Sequence, residues 1–563
     1  MVQINKLTLL EVLNAASSQF ADQNFVSWVD KEPITYAEFG EKVSSVANFL
    51  KERGITKGDK VAILSENQPN WSVAYFAIIS LGAIAVPIMT EFHSSEVYHI
   101  LRHSESRAIF ISTKMYNKID DFDQEALEAK ILVDDLSIVP LQTKSDLLKD
   151  ILSNGKKELE KIKHAAMKFV GLTTDDIEED DLAAILYTSG TTGHSKGVML
   201  THKNIVSDAI STLGIVTLSE TDRLLSILPL FHTMESTLGL FTPMLCGSAI
   251  YYMDKPPTAA ALLPALAKVK PTVMIAVPLI IEKIYKQKIL PQLTSKVVVR
   301  SLYKVPPVRK KLHKVAGKKL LKTFGSELRM FCIGGAPLSA EVEIFMKEGG
   351  FPYAVGYGLT ETSPLLTGTN PDGIRYRSAG KPIPDVQIDI RDKDPDTGEG
   401  EIFAKGPMVM KGYYKDPEKT KEVLSDDGWF RTGDLGVVDK DGYLFIKGRL
   451  KNVIIGSNGK NIYPEEIESL INENPYVFES LVYEKEGKLI ARVFLNYDSI
   501  DQDHQIEKLN DTKSREIIDK ILVDILNEIN NRVSTFSKLH RVLEQPEPFE
   551  KTPTQKIKRY LYL

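Results

Sequence analysis

Apolar positions recur every three or four residues through Phe39, Val43, Val46 and Leu50, the spacing of a helix over 38–53. The unbroken run Lys60-Val61-Ala62-Ile63-Leu64 then reads as a buried strand. Residues 70–81 return to helical spacing, and Ala85-Val86-Pro87-Ile88 to a strand. Similar alternation comes back from 182 to about 335. Strands separated by helices predict α/β layers built on a parallel sheet. From about Asp385 the segments shorten. Gln387-Ile388-Asp389-Ile390, Glu401-Ile402-Phe403-Ala404, Leu435-Gly436-Val437-Val438 and Tyr443-Leu444-Phe445-Ile446 read as strands, with turn formers such as Asp396-Thr397-Gly398 and Asp441-Gly442 between them. Beyond Arg449, Pro464 followed by Glu465 and Glu466 marks a helix start with acids in its first turn. Residues 480–483 and 489–495 form a strand pair. The expected organisation is a large N-terminal domain over 1–450, made of layered α/β subdomains plus a β-rich subdomain over about 385–450. A small α+β C-terminal domain follows over 451–563.

Composition narrows the function classes. A formal net charge of −5 is small for 563 residues and does not suggest a nucleic-acid protein. With 43% hydrophobic residues the chain can build its core without disulfide staples. Its two cysteines, Cys246 and Cys332, both lie in apolar settings and read as buried thiols in a reducing compartment. The N-terminus lacks a charged stretch followed by a long apolar one, so no secretory signal is expected. The longest apolar stretch, about 75–89, falls short of the ~20 residues a spanning helix needs. The expected location is the cytosol.

The chemistry begins at Tyr187-Thr188-Ser189-Gly190-Thr191-Thr192-Gly193-His194-Ser195-Lys196-Gly197. This run follows the apolar strand 183–186. Its glycines allow a tight turn and close approach to a ligand. A cluster of hydroxyls, one lysine and free backbone N–H groups suit a polyphosphate. The Gly-Lys-Ser/Thr ending of a P-loop is missing.

The run resembles the phosphate loop of the adenylate-forming superfamily of acyl-CoA synthetases, peptide-synthetase adenylation domains and firefly luciferases. Six further segments resemble that superfamily's motifs in order and spacing. They are Leu228-Pro229-Leu230-Phe231-His232, Gly334-Gly335-Ala336-Pro337, Tyr357-Gly358-Leu359-Thr360-Glu361-Thr362, Trp429-Phe430-Arg431-Thr432-Gly433-Asp434, Gly448-Arg449-Leu450-Lys451 and Lys551-Thr552-Pro553-Thr554-Gln555-Lys556. The resemblance implies an adenylate-forming ligase fold, and ATP and Mg²⁺ as cofactors. Carboxylate attack on the α-phosphorus brings two anions together, so the site must neutralise charge and align groups. Lys196 with Thr188, Ser189, Gly190, Thr191, Thr192 and Gly193 is expected to hold the β- and γ-phosphates. Glu361 is expected to ligate Mg²⁺, and Thr360 to meet the α-phosphate. Gly334, Gly335, Ala336 and Pro337 would flank adenine, which can stack on Tyr357 beside Gly358. Asp434 and Arg449 would hold the ribose hydroxyls. His232 would gate or orient the acyl carboxylate. Lys556 is the expected catalytic lysine of adenylation, where its ammonium could bridge the carboxylate and the α-phosphate. Gln555 stands where many members carry glycine, as in the long-chain branch.

The second half-reaction needs a thiol where pyrophosphate left. The superfamily rotates its C-terminal domain to admit it. Lys451 matches the hinge, and Gly459 in Gly456-Ser457-Asn458-Gly459-Lys460-Asn461 the loop beside the thiol channel. The expected acceptor is coenzyme A and the expected substrate a long-chain fatty acid, whose tail could line up with 233–240 and 273–280. From Lys283 to Lys322 there are thirteen Lys or Arg and no Asp or Glu. That segment is either a solvated helix face or a dock for an anionic membrane at its inner face, or for an acidic acyl carrier protein. Transfer to a carrier protein, a luciferase-like oxygenase and a non-catalytic nucleotide- or lipid-binding relative are the competing functions. The joint presence of Lys196, Glu361, Asp434, Arg449 and Lys556 argues against the last.

Overall fold

The computed structural model describes residues 1–122, 127–153, 159–162, 176–188, 195–294, 303, 305–455, 461–551 and 557–563. Among these, two large sheets take all the strands up to Lys381–Pro382, together with Gly412–Tyr413. One contains, in spatial order, Lys381–Pro382, Leu365–Gly368, Tyr353–Gly358, Met330–Ile333, Val273–Ala276, Arg223–Ser226, Ala249–Tyr252, Asn24–Trp28 and Ile34–Thr35. Its centre is parallel. The other runs Gly412–Tyr413, Lys196–Thr201, Leu182–Thr188, Ile84–Pro87, Lys60–Leu64, Ser106–Ile111, Ala129–Leu132 and Ile138–Val139.

Helix Pro69–Ile79 is apolar on every side, and residues from Trp71 to Ile79 are all buried. A helix with no polar face belongs inside a core rather than on a surface. It shares one cluster with side chains of both sheets, including Val61, Ala183, Leu224 and Ile250. The apolar stretch at 75–89 is therefore the middle of the protein. No described helix is long and apolar enough to cross a membrane. Cys246 is buried and Cys332 half-buried, both as free thiols. Burial raises the Cys246 thiol and pushes that of Cys332 to about 12.

A four-stranded antiparallel sheet follows: Gln387–Arg391, Gly400–Lys405, Phe430–Val438 and Leu444–Arg449. The third strand begins five residues before the sequence pattern shows it. It takes in Phe430 to Asp434, where Arg431 and Gly433 interrupt the apolar run. Farther on, Val477–Lys485, Lys488–Leu495 and Arg541–Glu544 form a small sheet covered by helices Pro464–Ile471 and Asp511–Asn530.

The basic segment contains helix Pro306–Thr323. Lys310, Lys311, Lys314, Lys318, Lys319 and Lys322 are exposed. Arg309 instead makes a forked pair with Glu348, at 2.7 and 3.1 Å. Beneath, the helix crosses Ala340–Gly349 at two glycines: a Cβ on Gly317 would stand 2.4 Å from the Gly349 carbonyl oxygen. Lys286, from the turn before it, donates to the carbonyls of Asn472 (2.6 Å) and Val477 (3.5 Å) in the C-terminal part of the chain.

Candidate active site

Four neighbouring parallel strands, Arg223–Ser226, Val273–Ala276, Met330–Ile333 and Tyr353–Gly358, end on one side of the first sheet. The segments after them carry His232, Val277, Gly334 and Leu359. Crevices at the carboxyl ends of parallel strands are where α/β proteins bind ligands. Gly335, Ala336 and Pro337 are exposed there, with Gly335 at φ +82°. A Cβ on Gly334 would stand 3.1 Å from the Met234 methyl, so the segment after His232 touches the segment that begins at Gly334. Gly358 tolerates no side chain: its Cβ would lie 1.7 Å from the Pro364 carbonyl oxygen. That contact lets the chain double back through the short turn Thr360–Thr362, which presents Glu361.

On the phosphate side, Leu182–Thr188 and Lys196–Thr201 form a hairpin whose last pair is Thr188 with Lys196. The two ends of the loop are thus fixed, while Ser189, Gly190, Thr191, Thr192 and Gly193 lie outside the described residues. Strand Gly412–Tyr413 pairs with Lys196–Thr201. It brings in Tyr413, which the sequence did not single out. The Tyr413 hydroxyl donates to Glu361 Oε1 at 2.9 Å. The Lys196 ammonium lies over the same ring, 5.0 Å from its centroid, a cation–π distance. Loss of water lowers the Lys196 pKa, with Lys419 adding to the shift, while Glu361 opposes it. Burial and the Glu361 carboxylate raise that of Tyr413.

On the sugar side, Asp434 and Arg449 face each other across antiparallel strands. Arg449 Nε pairs with Asp434 Oδ1 at 2.7 Å, and the Tyr357 hydroxyl donates to Asp434 Oδ2 at 2.7 Å. Asp434 is only 5% exposed. Burial and that carboxylate raise the Tyr357 phenol well above its ordinary value. Tyr357, Asp434 and Arg449 are therefore one hydrogen-bonded unit joining the first sheet to the four-stranded one.

His232 precedes a short helix, Thr233–Ser236, and a wide turn, Thr237–Phe241. Its ring packs on Phe231 at 4.5 Å. Lys451 is exposed in the turn Leu450–Asn452, directly after Arg449. Gly459 and Lys556 lie outside the described residues. The ends of the Lys556 segment are tied down by ion pairs, Lys551 to Glu479 and Arg559 to Glu468. Among the described residues no cluster of three His, Cys, Asp or Glu could hold a metal ion. Glu361 offers a carboxylate beside Lys196 at the end of the hairpin loop, which fits Mg²⁺, since that ion is commonly held by one or two carboxylates plus substrate phosphates.

Residues 13–414 match the family model described as AMP-binding enzyme. The chain belongs to the AMP-binding enzyme family. Curated relatives of this AMP-binding protein include the putative acyl-CoA synthetase YngI of Bacillus subtilis, 29% identical and covering 85% of each chain. Another is the long-chain-fatty-acid–CoA ligase FadD15 of Mycobacterium bovis, 28% identical over 81% of this chain and 75% of that one. The ATP-bound MatB structure from Rhodopseudomonas palustris is 26% identical, with a TM-score of 0.75 over 98% of this chain and 97% of its own. The α/β architecture and the superfamily expected from the motifs are thus both met, and the AMP-binding protein is an adenylate-forming acid ligase.

Proposed function

We propose that the AMP-binding protein activates a long-chain fatty acid with ATP, forming acyl-AMP and pyrophosphate, and then transfers the acyl group to coenzyme A. The observation that carries this reading is the meeting of Lys196 and Glu361 on Tyr413, beside the Tyr357–Asp434–Arg449 unit. One end of such a site suits a polyphosphate and the other a ribose.

The Lys196 ammonium, with the Thr188 hydroxyl, draws the β- and γ-phosphates to the hairpin end and offsets their charge. Glu361, held by Tyr413, would ligate Mg²⁺, which when bound neutralises phosphate charge and helps align the α-phosphorus for attack. Asp434 accepts hydrogen bonds from the ribose hydroxyls, with Arg449 alongside. Tyr357 offers its ring to adenine, and Gly334 to Pro337 leave the facing side open. His232 orients the acid's carboxylate, and Lys556 stabilises the charge that builds between carboxylate and α-phosphate. A turn of the C-terminal unit about Lys451 then exchanges Lys556 for the Gly459 loop and admits the thiol.

Support for a long acyl chain comes from the FadD15 likeness and from the apolar segment 273–280, much of which is buried core. The exposed lysines of Pro306–Thr323 suit an anionic membrane surface from which such an acid would be collected. A pyrophosphate-release assay over fatty acids of graded length tests the reading, with coenzyme A and acyl carrier protein as competing acceptors. Each CH₂ buried in a tunnel should raise kcat/KM about fourfold, from roughly 0.8 kcal/mol per CH₂, until the tunnel ends. A preference for short or dicarboxylic acids would remove the fatty-acid assignment and leave the ligase.

A further inference from the structure

The segment that carries His232 is gripped from the other half of the N-terminal region. Asn67 lies between strand Lys60–Leu64 and helix Pro69–Ile79. Its Nδ2 donates to the Leu228 carbonyl at 2.5 Å and to Ser226 Oγ at 2.9 Å. Its Oδ1 accepts from the Leu230 N–H at 2.7 Å. One amide therefore holds the backbone two and four residues before His232. Ser226 passes the chain on: its hydroxyl donates to Glu235 Oε1 at 2.5 Å. Glu235 stands three residues past His232, where its own N–H donates to the His232 carbonyl at 3.0 Å. The two arms close on His232 from both sides.

Glu235 is an unusual choice for such a place. It is 2% exposed, and its Oε2 has no hydrogen-bond partner among the described residues. Burial pushes its carboxyl up to about 8, against the pull of Ser226, so it is uncharged at neutral pH. A charged carboxylate with one oxygen unsatisfied would be far costlier to bury than the neutral acid. Room for it comes from Gly239, one turn on, where a Cβ would stand 3.0 Å from the carboxyl carbon. Placing an acid here, instead of an apolar side chain, makes sense if its bond to Ser226 fixes something that must not drift.

We propose that Asn67, Ser226 and Glu235 are positioning residues that set the backbone on which His232 meets the carboxylate of the acid substrate. The inference rests on the acid-side reading of His232 given above. None of the three touches the reacting atoms. Their effect falls on the half of the reaction that needs the acid aligned, and not on nucleotide binding, which uses Lys196, Glu361 and Asp434. Misplacement of a catalytic group by about 1 Å can cost on the order of 10²-fold.

The experiment measures KM and kcat for palmitate and for ATP in Asn67→Asp, Ser226→Ala, Glu235→Ala and Glu235→Gln, with His232→Ala alongside. Ser226→Ala and Asn67→Asp barely change volume and keep the test alive if Glu235→Ala does not fold. The expected result is a palmitate KM raised ~10- to 100-fold in Asn67→Asp, Ser226→Ala and Glu235→Ala, with the ATP KM within about twofold of the parent. Glu235→Gln keeps the carbonyl acceptor and the neutral charge, and should recover most of the loss. If the palmitate and ATP constants move together, or Glu235→Gln is as damaged as Glu235→Ala, the residues are core packing and the proposal falls. If His232→Ala raises the palmitate KM while Ser226→Ala does not, this proposal alone falls. If His232→Ala itself leaves palmitate unaffected, the acid-side reading falls and takes this one with it.

Discussion

Tyr413 does two jobs through two parts of one side chain, and two substitutions can separate them. Tyr413→Phe deletes the hydroxyl that donates to Glu361 at 2.9 Å and leaves the ring under Lys196. A hydrogen bond to a charged group contributes about 1.5–3 kcal/mol. Glu361 is half-buried, so water replaces part of that loss, and about 1–2 kcal/mol is the reasonable remainder. In kcat/KM for MgATP that is roughly 5- to 30-fold, taking 1.36 kcal/mol per decade. If Glu361 ligates Mg²⁺ as proposed, excess Mg²⁺ should restore part of the rate. Tyr413→Leu also removes the ring 5.0 Å from the Lys196 ammonium. A cation–π contact of about 0.5–2 kcal/mol predicts a further loss of roughly 2- to 30-fold, which Mg²⁺ should not restore. The assay is ATP–pyrophosphate exchange at saturating fatty acid, titrated in Mg²⁺, with circular dichroism to confirm folding. If Phe equals the parent, the Glu361 contact has no functional weight. If Phe and Leu are equally impaired, the ring under Lys196 has none.

Lys556→Ala should cut acyl-AMP formation about 10²–10³-fold yet still make thioester from supplied acyl-AMP at a near-normal rate, whereas Lys451→Pro should form adenylate and stall at thioester; quenched-flow assay of each half-reaction decides, and equal damage to both steps in both variants would rule out the two-conformation account. Lys286→Met removes the ammonium bonded to the Asn472 and Val477 carbonyls and should shift the ratio of the two half-reaction rates by about fivefold, from the ~1 kcal/mol of one hydrogen bond; an unchanged ratio would deny that contact any part in the domain swing. Glu235 has its pKa raised from an ordinary 4.5 to about 8, so its contribution to stability is full below pH 4.5 and is lost as pH rises towards 8. Glu235→Gln should therefore melt near the parent at pH 5 and above it at pH 8, by up to roughly 3 kcal/mol; parallel melting curves at both pH values would refute a buried neutral acid. Changing Lys310, Lys311, Lys318 and Lys319 to Gln should abolish salt-sensitive binding to anionic vesicles in a sedimentation assay, and equal binding to neutral vesicles would leave those lysines a solvated face.

What the sequence made legible was whatever is local. Strand Lys60–Leu64 falls where its apolar run lies, and helix Tyr36–Glu52 begins two residues before its periodic pattern because Thr35 and Glu38 cap it reciprocally. The Asp434 and Arg449 motifs could be read singly as ribose contacts. Their pairing across two strands, and the share Tyr357 takes in it, could not. Tyr413 was invisible for the same reason. It stands 52 residues from Glu361 and meets Lys196 only because Gly412–Tyr413 joins the edge of a sheet begun far earlier in the chain. Asn67 and Glu235 had no motif to announce them, since their meaning lies in four side-chain hydrogen bonds and one oxygen left without a partner. The basic segment misled in part. Its lack of acids suggested an unpartnered surface, yet Lys286 and Arg309 turn inward to carbonyls and to Glu348 supplied by other elements.

The crossing of Gly317 over Gly349 bears on how the exposed lysines could be used. Backbone touches backbone there, leaving no layer of side chains to slide. The lysine helix is thereby fastened to helix Ala340–Gly349, whose N-cap, Ser339, ends the segment that begins at Gly334. A charged surface that captures those lysines would seize the same rigid block that carries the nucleotide-side rim of the crevice. Attachment would then set the angle at which the crevice faces that surface, as a keel sets a hull, instead of merely keeping the enzyme nearby.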